Sequence, residues 1–362
     1  MRERRSGWRR IAATAAATAA VMWILLYAPV PFVIYEPGIA VQVDPMVEYG
    51  PPCPDCPEES GEDGGEFMLT AVRLVERNWW GVLTAAFDPD RDIVQKRDLF
   101  RGQTKRQYAE RITVVMQGSQ NNAAEAAYRF AGIDYEIKPE AIVVTDTLTV
   151  AGRPAGLLKP GDRLIGISGA KPFNGMADAV RQMQAGGADA DKVALEVEDG
   201  KGERRTVELH FKAGTLKDLD ADKLAAMLGA SGFTELRSLV PANPRYAVRI
   251  HAGEIGGPSA GLVFALQVID LLTEGDLTKG ARIAATGTIT ADGKVGAIGG
   301  VKQKVVATSE AGAELFLVPK ANEKEARSKA KAMKTDMAVT GVGTLQEAIE
   351  AIAEFTAGRS SG

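Results

Sequence analysis

Five arginines, Arg2, Arg4, Arg5, Arg9 and Arg10, precede a stretch from Ile11 to Tyr35 that holds no charged residue. Read as one helix, that stretch is long enough to cross a hydrocarbon core of roughly 30 Å. The arginine cluster would then stay cytoplasmic and everything after Glu36 would lie outside. The alternative is a cleaved signal peptide. Small residues of the A-x-A type lie early, around Ala12 to Ala20, and Pro29, Val30, Pro31 and Phe32 follow the apolar run, so a well-placed cleavage site is missing. The pattern therefore predicts a single-pass anchor in a cell membrane, over residues 1–35, facing a lipid bilayer.

Residues 36–65 read as a linker rich in Pro and Glu, carrying Cys53-Pro-Asp-Cys56. Outside the cytoplasm such a pair is a local disulfide, half of a metal knuckle or a redox couple, and a small linker disulfide is the plainest option. From 66 to 132 come a strand, Phe67 to Leu74, a polar helical region, and an Ala-rich helix from about Ser119 to Phe130. Residues 133–212 change to short β-rich runs: Ala141–Thr145, Arg163–Ser168, Lys192–Val197 and Val207–Phe211, with a helix over Gly175–Gln184. Within that unit, Ala155-Gly-Leu-Leu-Lys-Pro-Gly-Asp-Arg-Leu-Ile-Gly-Ile-Ser-Gly169 resembles the core of a PDZ domain. The resemblance implies a groove that takes an extended peptide as an added strand; a purely structural insert is the alternative.

From 213 to the end, helical and strand patterns alternate. Leu262–Leu272 is apolar nearly all round and predicts a buried helix. Arg282–Ile289 reads as a strand, Val301–Ala311 as a helix ended by Gly312, and Glu314–Val318 and Met337–Thr340 as strands. Such alternation belongs to the α/β or α+β class.

Composition narrows the chemistry. Apolar residues make up 45% and charged residues 25% of the 362, an ordinary globular balance. The net charge of -4 gives no reason to expect nucleic acid as a partner. His210, His251, Cys53 and Cys56 are the whole stock of His and Cys. A zinc site would need all four, drawn from opposite ends of the chain, so no metal or cofactor is expected. Any catalytic base is expected to be something other than histidine.

Two segments carry that chemistry. Glu254-Ile-Gly-Gly-Pro-Ser-Ala-Gly261 puts Ser259 at the start of the apolar helix, where unpartnered backbone N–H groups can hold an oxyanion. The stretch around Gly257 and Pro258, up to Ser259, is the candidate for that role. A serine that merely caps a core helix is the alternative. Gly296-Ala-Ile-Gly-Gly-Val-Lys-Gln-Lys304 offers two lysines on the opening turns of a second helix. On a helical wheel Lys304 lies roughly 40° from the centre of the apolar side and Lys302 roughly 120°. Lys304 faces the core, and burial disfavours the charged form of a lysine, as a general base requires.

Gly257-Pro-Ser-Ala-Gly261, Thr286-Gly-Thr-Ile289 and Ile298-Gly-Gly-Val-Lys-Gln-Lys304, in that order, resemble the protease domain of Lon. The resemblance implies a Ser259/Lys304 dyad, 45 positions apart, with Thr286 supporting the lysine. Val114–Gln120 and the Ala-rich helix after it, with Glu66–Thr70, resemble the start of the same domain, which would make the PDZ-like unit an insertion; an unrelated amphipathic helix is the alternative. No G-x-x-x-x-G-K-[ST] occurs, so neither a P-loop nor an unfoldase is read here. His251 stands at a different offset from Lon's histidine-bearing strand and reads as structural. The whole arrangement is similar to the membrane-bound PDZ–Lon-like proteases of Gram-positive-type bacteria.

The resemblance implies an ATP-independent serine endopeptidase with its catalytic part outside the cytoplasm. Its partners would be peptides or unfolded proteins, small exported or single-pass membrane proteins among them, with oligomers an open option. The expected fold is a Lon-type α/β (α+β) peptidase domain with a β-rich PDZ-like domain, preceded by one transmembrane helix. A non-catalytic peptide-binding scaffold is the rival from another class, and a peptidase of the signal-peptidase type a second rival.

Overall fold

The computed structural model describes residues 2–50, 64–147, 149–150, 153–154, 156–186, 191–212, 214–253 and 255–359. Helix α1 spans Arg2–Tyr27, and strand β1 follows over Phe32–Gln42. The uncharged stretch is therefore not one element. Pro29 and Pro31 stop the helix, and the β-branched and aromatic run Phe32-Val33-Ile34-Tyr35 continues as strand. Ile34 is fully buried against Val82 and Ala85. The charge-free helical part, Ile11 to Tyr27, measures only about 26 Å at 1.5 Å per residue, and Ala12 to Ala20 is alanine and threonine alone.

Among the described residues no helix is long and apolar enough to cross a membrane. That overturns the expected transmembrane helix, and with it the single-pass placement with an extracytoplasmic catalytic part. The last residues of the supposed span belong to a sheet instead. Residues 36–49 differ from the expected linker too, since β1 runs through Gln42 and Val47–Tyr49 pairs with Val248–Ile250. Cys53 and Cys56 lie outside the described residues.

Strand β2 (Glu66–Val75) pairs antiparallel with β1, and β1 pairs on its other side with β3 (Asp92–Gln95). Helix α2 (Lys105–Ala131) starts well before the expected Ser119. Its start is set by a capping box, Thr104 with Gln107, and its end by Gly132 at φ 67°.

The chain then enters a second sheet made of β4 (Tyr135–Thr147), β5 (Arg163–Ile167), β6 (Lys192–Glu198), β7 (Arg204–His210) and β8 (Ala230–Pro241), in the order β7-β6-β5-β4-β8. Helix α3 (Met176–Gly186) packs on it. This unit has its own core, with Ile142, Val144, Leu164, Val193 and Leu195 among its members. Its entry and exit strands pair antiparallel from Thr147↔Ala230 to Tyr135↔Pro241. One ribbon therefore joins it to the rest of the protein.

After β8 come α4 (Gly261–Leu272), β9 (Arg282–Ala285), β10 (Thr288–Ile289), β11 (Val295–Gly296), α5 (Val301–Glu310), β12 (Leu315–Pro319), α6 (Glu323–Met333), β13 (Ala338–Val342) and α7 (Leu345–Arg359). The main sheet has the order β13-β12-β9-β2-β1-β3, with β13, β12, β9 and β2 parallel. Alternate strand residues feed two layers, as the period of two requires. Phe67, Leu69, Ile283, Leu315 and Leu317 pack with α4, α2 and α7. Met68, Ala284, Phe316 and Val318 pack with α5 and α6.

Candidate active site

Ser259 sits in a short 3-10 turn, Pro258–Ala260, that runs straight into α4. Gly257 enters this turn at φ 98°, a left-handed conformation that a side chain would strain. Gly261 closes it at a point of close approach: a Cβ there would stand 2.7 Å from Ser119 Oγ on α2 and 2.9 Å from Ile289 Cγ2 on β10. Three elements meet at that glycine.

Lys304 lies on α5 and is 2% exposed, whereas Lys302 on the same helix reaches outward to Asp92 at 3.2 Å. The Lys304 Nζ has three partners: the Thr70 carbonyl of β2 at 2.8 Å, Ser259 Oγ at 2.9 Å and Thr286 Oγ1 at 2.9 Å. Thr286 is wholly buried, and its hydroxyl donates to the Ser259 carbonyl at 3.0 Å. The Gly287 N–H donates to that same carbonyl at 2.8 Å.

Counting protons gives this arrangement a direction. A carbonyl can only accept, and Thr286 has already spent its one hydrogen on Ser259 O. Both groups can therefore only receive N–H bonds from Lys304. A neutral amine has two hydrogens, which those two acceptors take, and its lone pair is left facing the Ser259 hydroxyl. Burial lowers the Lys304 pKa from 10.5 to about 7, so a substantial neutral fraction exists near neutrality. Ser259 and Lys304 open onto a cleft of about 790 Å³ whose walls include Ile39, Val72, Ile112, Met116 and Ile255.

Of the five residues singled out from sequence, Ser259, Thr286 and Lys304 converge within hydrogen-bond distance. Gly257 and Pro258 flank them, but Pro258 has no N–H and cannot donate to an oxyanion. Its carbonyl is what the structure uses, as acceptor from Ser119 Oγ at 2.9 Å. His251 and His210 lie apart on the surface, their side chains 60% and 70% exposed beside Glu48 and Glu208. Among the described residues no group of three His, Cys, Asp or Glu could hold a metal ion. The Thr70 carbonyl was not foreseen, since a backbone oxygen carries no residue signature.

Residues 222–354 match the Lon protease (S16) C-terminal proteolytic domain. The chain carries a Lon proteolytic domain. The matched span contains Ser259, Thr286 and Lys304. The Lon protease of Clostridioides difficile (strain 630) is 32% identical over 187 residues, 49% of this chain and 22% of that protein. That of Roseiflexus castenholzii is 44% identical over 82 residues, 22% of this chain and 10% of the relative. That of Mesomycoplasma hyopneumoniae is 46% identical over 68 residues, 19% and 8% of the two chains. The chain thus covers less than a quarter of the length of each. The Lon proteolytic domain is that of a serine-type peptidase, and identity is highest in the shorter stretches.

Proposed function

We propose that this protein is a serine endopeptidase that cleaves flexible or unfolded polypeptide without ATP, with Ser259 as nucleophile and Lys304 as general base. The observation that carries the reading is the set of hydrogen bonds on Lys304 Nζ, which directs the neutral amine's lone pair at the Ser259 hydroxyl.

In the first half-reaction Ser259 Oγ bonds to the substrate carbonyl carbon as its proton moves to Lys304 Nζ. The carbonyl oxygen becomes an oxyanion, met by N–H groups at the start of the helical segment that follows Gly257. The lysine then returns a proton to the leaving amine as the C–N bond breaks, and an ester on Ser259 remains. In the second half, water gives a proton to Lys304 as it attacks the ester carbon. The lysine passes that proton to Ser259 Oγ as the ester C–O bond breaks, releasing the acid and restoring the hydroxyl. Thr286 keeps the amine in the orientation both halves need.

Independence from ATP is supported by the lack of any G-x-x-x-x-G-K-[ST] stretch in this sequence. The five-stranded unit is read as the part that recruits substrate. Its sheet ends on β8 as an edge strand, and an extended peptide added to such an edge is a common recognition mode.

The test compares the full chain with Ser259→Ala and Lys304→Ala on casein, with no nucleotide present. Cleavage by the wild type and by neither variant is the expected result. Equal cleavage by all three would place the activity elsewhere.

A further inference from the structure

Helix α2 reaches the reaction centre at two points that the mechanism above leaves unused. Ser119, 5% exposed, donates from Oγ to the Pro258 carbonyl at 2.9 Å. Asn122 donates from Nδ2 to the Ile289 carbonyl at 3.1 Å. The two residues are three apart and share one helix face. Pro258 immediately precedes Ser259, and Ile289 ends the short strand that leaves Thr286.

We propose that Ser119 and Asn122 are positioning residues that hold these two backbone segments in register, and that Arg237, arriving on β8 from the inserted unit, sets the direction of Asn122. This rests on the reading of Ser259 and Lys304 as the reacting pair.

Ser119 acts on the nucleophile through the planarity of a peptide bond. The Pro258–Ser259 peptide is a trans plane, so its carbonyl and its N–H point to opposite sides. Fixing the carbonyl on α2 fixes where the Ser259 N–H points, away from that helix. The next peptide plane, which carries the Ser259 carbonyl, is already held by Thr286 and Gly287. Without Ser119 the Pro258 carbonyl keeps only the turn bond from the Gly261 N–H. The helix is close enough to act, because it meets the turn and β10 at Gly261, where no Cβ fits.

Arg237 acts through the polarity of the Asn122 amide. Asn122 Oδ1 accepts from Arg237 Nη2 at 2.6 Å, which leaves Nδ2 as the end that faces the Ile289 carbonyl. Arg237 is itself fixed. Its Nε donates to the buried Glu125 at 2.9 Å, and its backbone N–H to Asn121 Oδ1 at 3.2 Å. A residue on the exit strand of the insert therefore decides how α2 grips the segment beside the lysine and serine.

The experiment uses the full chain and a fluorogenic casein. Active sites are counted by a serine-acylating probe, so that rates are per competent site rather than per mole of protein. Ser119→Ala removes the hydroxyl. Asn122→Asp keeps the acceptor for Arg237 but cannot donate to Ile289. Each should lower kcat per titrated site by roughly ten- to hundred-fold, with KM within about two-fold of wild type. In Ser119→Ala, which changes no charge, the apparent pKa in kcat/KM should not move, because Ser119 does not touch Lys304. Arg237→Ala should lower kcat likewise and add nothing to Asn122→Asp. Unchanged kcat per titrated site in Ser119→Ala and Asn122→Asp, whatever happens to their melting temperatures, would overturn the proposal, as would a shift of the apparent pKa in Ser119→Ala. Full activity in Ser259→Ala would instead sink the dyad reading beneath it.

Discussion

Replacing Lys304 by methionine should make the protein more stable at pH 7 and less stable at pH 10. In the folded state burial lowers the Lys304 pKa from 10.5 to about 7. At about 1.4 kcal/mol per pH unit, the gap between those two values is worth about 5 kcal/mol. Below about 7 the folded and unfolded chains both carry the proton, and the folded state bears that cost in full. Between about 7 and 10.5 the unfolded chain binds a proton that the folded chain does not, so stability rises with pH. Above 10.5 both are neutral and the cost is gone.

Methionine fills nearly the same space and removes the charge. It also leaves the buried Thr70 carbonyl without its donor, at about 1–3 kcal/mol. The balance at pH 7 is a gain of about 2–4 kcal/mol. At pH 10 the charge term has shrunk to under about 1 kcal/mol, and the lost hydrogen bond dominates. Urea denaturation of Lys304→Met and wild type at intervals from pH 7 to pH 10, with equal m-values, gives the difference directly. It should fall by about 1.4 kcal/mol per pH unit and change sign within the range. A difference that stays constant with pH would mean that Lys304 titrates alike in both states, and the argument for a poised base would be lost.

The same lysine predicts a kcat/KM that rises with pH through about 7 and then levels, since only the neutral amine can take the serine proton; a profile flat from acid to alkaline pH would contradict the base assignment. Thr286→Val keeps the shape but removes both the acceptor for Lys304 and the donor to the Ser259 carbonyl, so kcat should drop on the order of a hundred-fold. An unchanged kcat would count against its orienting role. Gly261→Ala would press a methyl against Ser119 and Ile289 and should cost about 1–3 kcal/mol in denaturant melts; an unmoved midpoint would show that the three elements can part without cost.

The sequence was legible where residue type and spacing carry the information. The buried α4, the strands β2, β12 and β13 and the inward direction of Lys304 follow from periodicity, and the structure has them at nearly the expected bounds. The strand expected over Arg282–Ile289 stops at Ala285, and β1 and β3 were not expected as strands. The membrane span failed because hydropathy adds residues up without asking what pairs with them. Phe32 to Tyr35 are as apolar as a lipid-facing run, yet β2 and β3 flank them as neighbours in a sheet. The early start of α2 was signalled by Thr104-x-x-Gln107, a capping box masked by the charged residues after it. Ser119 could be placed on that helix, but not against Pro258, a partner 139 positions away.

Thr70 shows where such reading stops and a measurement takes over. Its carbonyl holds Lys304, and any residue at that position would supply a carbonyl. Its own hydroxyl is buried and has no hydrogen-bond partner among the described residues. A buried, unpaired hydroxyl costs about 1–3 kcal/mol of stability relative to an apolar group of the same shape. Valine has that shape and suits the centre of a strand. Thr70→Val should therefore raise stability by about 1 kcal/mol or more in urea melts while kcat stays at the wild-type level. The two readouts separate the side chain from the backbone at one position. If Thr70→Val instead lost activity with its stability intact, the hydroxyl would have a part in the reaction that the resting hydrogen bonds do not show.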